Sequence, residues 1–191
     1  MTKDSEITTS RPLPSGLMRA SATLKLYGNI GFWVQLVLGI VAFIILLFAS
    51  TSLFNEKQAT PGIGFGFFCA IAGVVALGVS ILCCFRYRKI AQMMQAPDPV
   101  ERPKKGYTLQ VIKFGLIANL VGMFLAIIGA EALVGLLLGK LLNLPQGAAV
   151  YDTSQLPQPK EIVIILANTH TIMSHFMGIS ISLWLLNRLN R

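Results

Sequence analysis

The run IGFWVQLVLGIVAFIILLFASTSLF, residues 30–54, decides the class of this protein. It contains no charged side chain, and about 20 mostly apolar residues in a helix are enough to cross a hydrocarbon core of about 30 Å. The whole chain of 191 residues is 54% hydrophobic and only 13% charged. A soluble domain carries about 25% charged residues. The composition therefore excludes a soluble enzyme or a disordered chain and indicates an integral membrane protein.

Three more apolar runs follow the first one. Residues 63–85 and 162–187 contain no charge, and residues 109–142 contain only Lys113, Glu131 and Lys140. The runs are continuous, whereas a β-barrel has short alternating segments. We predict an all-α protein with four transmembrane helices, at about residues 30–54, 63–85, 109–142 and 162–187, in an antiparallel bundle. Residues 1–29 form a tail in which a short helix is expected on the membrane surface, and residues 86–108 form a basic loop.

Positive charges are concentrated on one side of this topology. The segments before helix 1, between helices 2 and 3 and after helix 4 hold 12 of the 16 Lys and Arg residues, and Lys113 at the edge of helix 3 is the thirteenth on this side. Positive-inside bias then places both termini in the cytoplasm. The same bias accounts for the net charge of +8, so lipid headgroups are the expected contacts. No basic-aromatic module or zinc pattern points to nucleic acid.

Small residues form stripes along the helices, and membrane helices associate largely through such close contacts. The residues expected to pack in this way are Gly66, Ala70 and Gly73 on helix 2, Gly115, Ala118 and Gly122 on helix 3, and Gly178 on helix 4. Gly135 and Gly139 form a GxxxG pair on another face of helix 3. That second face favours a homo-oligomer or a subunit of a larger membrane complex.

Ionisable groups inside a bilayer are functional candidates, because each costs at least a few kcal/mol. Glu131 and His170 lie at nearly the same depth on antiparallel helices, so they could meet and bind a first-row metal such as iron. Asn168 and His175 share a face of helix 4 deeper along the same path. These four residues are predicted either to form an ion or proton pathway or to be polar groups that fix helix register. A third alternative for Glu131 is exposure near the outer headgroups. On a helical wheel, Glu131 points about 180° away from the stripe that begins at Gly115.

Other polar groups and motifs carry less information about function. Gln35 and Asn119 lie near the same end of helices 1 and 3 and are interpreted as interhelical packing contacts. The sequence has no HExxH, GxSxG, P-loop or dinucleotide-binding motif, so we expect no enzymatic activity and no resident cofactor.

Three stretches resemble a family of four-helix membrane proteins of cyanobacteria and chloroplasts: GFWVQLVLG at 31–39, FRYRK at 85–89 and ANTHTIMSHFMG at 167–178. The best-known plant member of that family is an inner-envelope protein described both as a permease linked to iron uptake and as a subunit of the protein translocon. The chain lacks a long plant-type transit region. It therefore resembles a cyanobacterial member, for which a plasma or thylakoid membrane is expected; a plant chain would lie in the chloroplast inner envelope.

Two functions are consistent with the sequence and this resemblance. The first is a permease or permease subunit for a metal ion, with iron as the transported ion and Glu131 and His170 as its ligands. The second is a non-conducting structural partner in a membrane protein translocation or assembly complex.

Overall fold

The computed structural model describes residues 13–55, 62–144, 156 and 158–190, and these residues form four long helices. The helices are α1 (Ser15–Asn55), α2 (Ile63–Met93), α3 (Lys105–Leu142) and α4 (Pro159–Asn190). A short 3-10 turn, Pro99–Glu101, lies in the connection between α2 and α3. By length and composition, each of the four helices could cross a membrane. The predicted all-α, four-helix class is confirmed.

All four helices extend beyond the apolar runs that revealed them, α1 and α2 by the most. α1 begins at Ser15, so the stretch expected to be a separate surface helix is instead the first part of α1. It is held there because the Ser21 hydroxyl donates to the Ala91 carbonyl at 2.7 Å and Leu24 is fully buried. α2 likewise continues to Met93, so the first part of the predicted basic loop is helical. Where the membrane surface crosses these helices stays a prediction.

The four helices pack as an antiparallel bundle. Each helix contacts its sequence neighbours, α1 contacts α4 to close the ring, and α2 touches α4 across the diagonal. One end, called here the terminal end, holds the start of α1 and the end of α4, where Lys105 donates to the Asn190 carbonyl. The opposite, far end holds an ion pair between Lys140 and Glu161. Which side of the membrane the terminal end faces stays a prediction.

Small residues bring α2 and α3 close together. A Cβ built on Gly66 would lie 2.6 Å from Leu133 Cγ, and one on Gly129 would lie 2.9 Å from Cys69 Cβ. Larger side chains at either glycine would therefore force these helices apart. The outer surface is lined by large apolar side chains; Phe48, for example, is 71% exposed. Such a surface suits contact with lipid.

Candidate functional site

A network of hydrogen bonds joins all four helices in the middle of the bundle. Its side chains are all buried: Gln35 on α1, Ser80 and Cys84 on α2, Asn119 on α3, and Ser174 and His175 on α4. A buried polar group without a partner costs about 1–3 kcal/mol, so the pairing of these groups is essential to the stability of the core. We call this set the central network.

Gln35 is the hub of the central network. Its amide nitrogen donates to Asn119 Oδ1 at 2.9 Å and to the Ser174 carbonyl at 3.2 Å. Its amide oxygen accepts from the Ser80 hydroxyl at 3.0 Å and from the Cys84 thiol at 3.4 Å. A backbone carbonyl can only accept, so the Ser174 carbonyl determines which end of the Gln35 amide faces it.

A backbone carbonyl also orients the Asn119 amide, and the Asn119 amide oxygen in turn faces the His175 ring. Asn119 Nδ2 donates to the Gly115 carbonyl at 2.8 Å, which leaves Oδ1 to face His175 Nδ1 at 3.0 Å. His175 Nε2 lies 3.2 Å from the Gly73 carbonyl. Both ring nitrogens therefore face acceptors. A neutral imidazole has one N–H and donates to only one of these oxygens at a time.

Two glycines provide the space that this network occupies. A Cβ on Gly122 would overlap the imidazole ring of His175, and a Cβ on Gly178 would overlap the amides of Gln35 and Asn119. Both glycines belong to the stripes predicted to pack helices closely. In the structure their faces are filled by polar side chains from neighbouring helices, so these positions serve the network as well as the packing.

The remaining predicted packing residues fall into two groups. Ala70, Gly73 and Gly115 are buried, and Ala118 is half-buried. Gly135 and Gly139 have no atom within 4 Å of a Cβ built on either one, so they face outward from the bundle. The second face of α3 is thus unoccupied by the described part of this chain.

The four predicted pathway residues are distributed between the core and the surface. His175 and Asn168 are fully buried, His170 is half-buried and Glu131 is exposed. Glu131 and His170 make no hydrogen bond or ion pair with any described residue. Neither amide atom of Asn168 has a hydrogen-bond partner within the described ranges.

The described residues of one chain do not by themselves form a complete metal site. Among the described residues, no three His, Cys, Asp or Glu side chains come together in a way that could hold a metal ion. The central network offers amides, hydroxyls, a thiol and one imidazole. These groups orient dipoles and hold a proton, whereas a first-row metal generally needs several imidazole, thiolate or carboxylate ligands.

Sequence reasoning identified only part of the central network. Gln35 and Asn119 were interpreted as packing contacts, and Ser80, Cys84 and Ser174 were not grouped with them. A usable signal exists in depth: in an antiparallel bundle, polar residues at equal distances from the terminal end lie in one layer. Ser80, Asn119 and His175 satisfy that condition, at 13, 14 and 15 residues from the limits of α2, α3 and α4 at that end, whereas Gln35 lies 20 residues from the start of α1.

The fold and the network define the class: a four-helix integral membrane protein whose interior is closed by polar contacts between helices. The chain belongs to the family described as "Protein of unknown function (DUF3611)", which matches residues 14–190.

A curated relative is "Protein TIC 21, chloroplastic" from Arabidopsis thaliana, which is 30% identical over 175 residues. The match covers 89% of this chain and 57% of that protein, so the chain spans a little over half the length of this relative. The resemblance to a cyanobacterial and chloroplast membrane family is thereby confirmed. No solved structure matches the chain.

Proposed function

We propose that this chain is a non-conducting subunit of a larger membrane assembly and meets its neighbour through the outward face of α3. The observation that carries the proposal is the exposure of Glu131 on that face. Glu131 lies nine residues from Lys140, or about 13 Å along the axis at about 1.5 Å per residue. Ile127, Val134 and Leu138 around it are exposed and apolar.

A carboxyl group in such an apolar band is costly against lipid. Insertion scales put a central acidic residue at roughly 2.5–3.5 kcal/mol, and such groups normally face protein or water. Because Glu131 has no partner within the described chain, a donor from a neighbouring subunit accounts for it. Gly135, one turn further along, leaves room for a second helix to approach closely.

The family resemblance is consistent with this proposal, because the plant member is described as a subunit of the protein translocon as well as a permease. The partner expected at this face is a transmembrane helix with a hydrogen-bond donor at the depth of Glu131. A second copy of the chain or a different subunit could supply it.

The test is a comparison of two glycine variants, Gly135→Leu and Gly64→Leu. Neither glycine has an atom within 4 Å of a built Cβ, so both variants should fold, but only Gly135 lies on the proposed face. We expect Gly135→Leu to lose the partner that co-purifies in mild detergent, and Gly64→Leu to keep it. Equal behaviour of the two variants, or a wild-type chain that is monomeric in native membranes, would overturn the proposal.

The second candidate is a permease or permease subunit for a metal ion, with iron as the transported ion. It is favoured by the unpaired state of Glu131 and His170, which lie on neighbouring helices and offer ligand types suited to iron. Two ligands are too few for a site, so the rest would come from an adjacent subunit. Asn168 and His175 would then lie deeper along the path.

Iron flux into proteoliposomes distinguishes the two candidates. If the chain is a permease, wild type transports iron, and Glu131→Gln abolishes flux while the variant still inserts and assembles. Flux that is unchanged in Glu131→Gln would remove Glu131 from the path. If a correctly inserted complex shows no iron flux, the permease candidate is excluded and the assembly role is the one that remains.

A further inference from the structure

A cleft at the terminal end of the bundle has an unusual charge pattern. It has a volume of about 510 Å³ and lies between the end of α2 and the start of α3. Arg86 and Lys89 from α2 and Lys104 from the connection line it, together with Met93 and Tyr107. We call it the basic cleft.

The three cations of the basic cleft are unpaired. None of the side chains of Arg86, Lys89 and Lys104 forms a hydrogen bond or ion pair with another residue in the described part of the chain. Nearby cations are engaged: Arg102 donates to the Ala96 carbonyl at 2.9 Å, and the Arg88 guanidinium lies 5.2 Å from the centre of the Phe32 ring.

No acidic side chain lines the cleft to offset this charge. Asp98, in the same connection, accepts a hydrogen bond from the Val100 amide at 2.8 Å and is not part of the lining. The positive charge of the cleft is therefore available to an anion.

The start of α3 adds to the positive field. Lys104 occupies the N-cap position without a capping side-chain hydrogen bond, and the first turn contains no acidic residue. The free backbone N–H groups of a helix N-terminus favour an anion, and a phosphate in particular. Three cationic side chains thus line the cleft, and the start of α3 lies beside it.

The walls of the cleft continue into the apolar surface of the bundle. Leu82, four residues before Arg86, is 66% exposed, and Phe114, seven residues after Tyr107, is 58% exposed. Residues at these spacings lie on the same faces of α2 and α3 as the cleft residues. An anion bound here would have an apolar track beside it, and Tyr107 is a side-chain type typical of the membrane–water interface.

We propose that the basic cleft binds the phosphate headgroup of an anionic phospholipid, whose acyl chains lie along the adjoining faces of α2 and α3. A phosphate joined to apolar chains matches both parts of the surface. A zwitterionic lipid matches the cleft less well, because its choline carries a positive charge into a cationic space. This site is independent of the α3 face around Glu131.

The test measures lipid retained by the full chain in native mass spectrometry, with phosphatidylglycerol and phosphatidylcholine added in equal amounts. The cleft variant is Arg86→Gln, Lys89→Gln and Lys104→Gln. The matched control is Arg19→Gln, Lys113→Gln and Arg188→Gln, which removes the same charge from exposed positions outside the cleft. We expect wild type and control to prefer phosphatidylglycerol, and the cleft variant to retain at least about tenfold less of it than the control.

Several results would overturn the proposal. Equal losses in the cleft variant and the control would mean that a diffuse field, rather than a site, attracts the lipid. Equal retention of the two lipids by wild type would contradict selection by charge. Complete displacement of phosphatidylglycerol by excess inorganic phosphate would assign the cleft to free phosphate.

A variant with fewer substitutions tests the proposal if the triple variant fails to fold. Lys89→Gln with Lys104→Gln changes two exposed side chains, and the retained lipid ratio can be compared within each folded sample. If this variant kept the full preference for phosphatidylglycerol, the proposal would fail.

Discussion

At the scale of single residues, three backbone carbonyls determine the polar interior. The Gly115 and Ser174 carbonyls accept from Asn119 and Gln35, respectively, and the Gly73 carbonyl faces His175 Nε2 at 3.2 Å. A flipped amide at Gln35 or Asn119 would place oxygen against oxygen, so each amide has one acceptable orientation. The helix backbones thus fix the direction of hydrogen bonds between side chains.

Asn119→Leu should destabilise the bundle, because the Gln35 amide nitrogen would lose an acceptor and His175 Nδ1 would face an apolar side chain in the buried core. We expect the free energy of unfolding to fall by about 1–3 kcal/mol, measured by thermal or denaturant unfolding in detergent. Asn187→Leu is the matched control, since Asn187 is exposed near the end of α4. An equal effect of the two substitutions would contradict the importance of the central network.

The residue scale also shows what one sequence could and could not predict. Asn168 and His175, which the seven-residue spacing places on one face of α4, are both buried. The wheel position of Glu131 agrees with its exposure. The partners of Gln35 could not be inferred, because the rotation of each helix about its axis is set by contacts that no single helix encodes.

At the scale of elements, hydropathy located the helices but not all of their ends. The far end of α3 at Leu142 agrees with the predicted end, because apolar character stops there. The start of α1 and the end of α2 differ, because charged and polar residues such as Arg19, Arg86 and Lys89 are good helix formers outside the apolar core. Hydropathy indicates which residues lie in the hydrocarbon layer, and a helix can extend beyond that layer.

The ion pair between Lys140 and Glu161 joins the end of α3 to the start of α4. Glu161 is fully buried, and its second carboxylate oxygen accepts from the backbone N–H of Gln158 at 3.0 Å. Lys140→Met would leave a buried carboxylate without its cation, which costs about 3–5 kcal/mol in a fully buried pair. We expect a loss of unfolding free energy near the lower value, because the Lys140 side chain is 14% exposed.

The double variant, Lys140→Met with Glu161→Met, is the control for this pair. Removing both charges should recover most of the lost stability, since no unpaired charge then remains. A double variant as unstable as the single one would show that the loss comes from packing and not from the uncompensated carboxylate.

At the scale of the whole molecule, the polar groups discussed above lie in four places. The centre holds the central network, the outward face of α3 holds Glu131, the terminal end holds the basic cleft, and the far end holds the ion pair of Lys140 and Glu161. Charge-free runs predicted the bundle, and the Lys and Arg distribution predicted where cations gather. The cleft itself was not predictable, because its walls come from residues on two helices and their connection.

The central network also has a consequence for how the protein is made. Gln35 lies 139 positions before Ser174, and the Asn119 amide lies between them in the chain. When the first three helices have been synthesised, the Ser174 carbonyl and the His175 ring have yet to be made. The interior amides of a partly made chain therefore lack part of their bonding until the last helix arrives. Synthesis of α4 therefore supplies the last hydrogen-bonding groups of the central network.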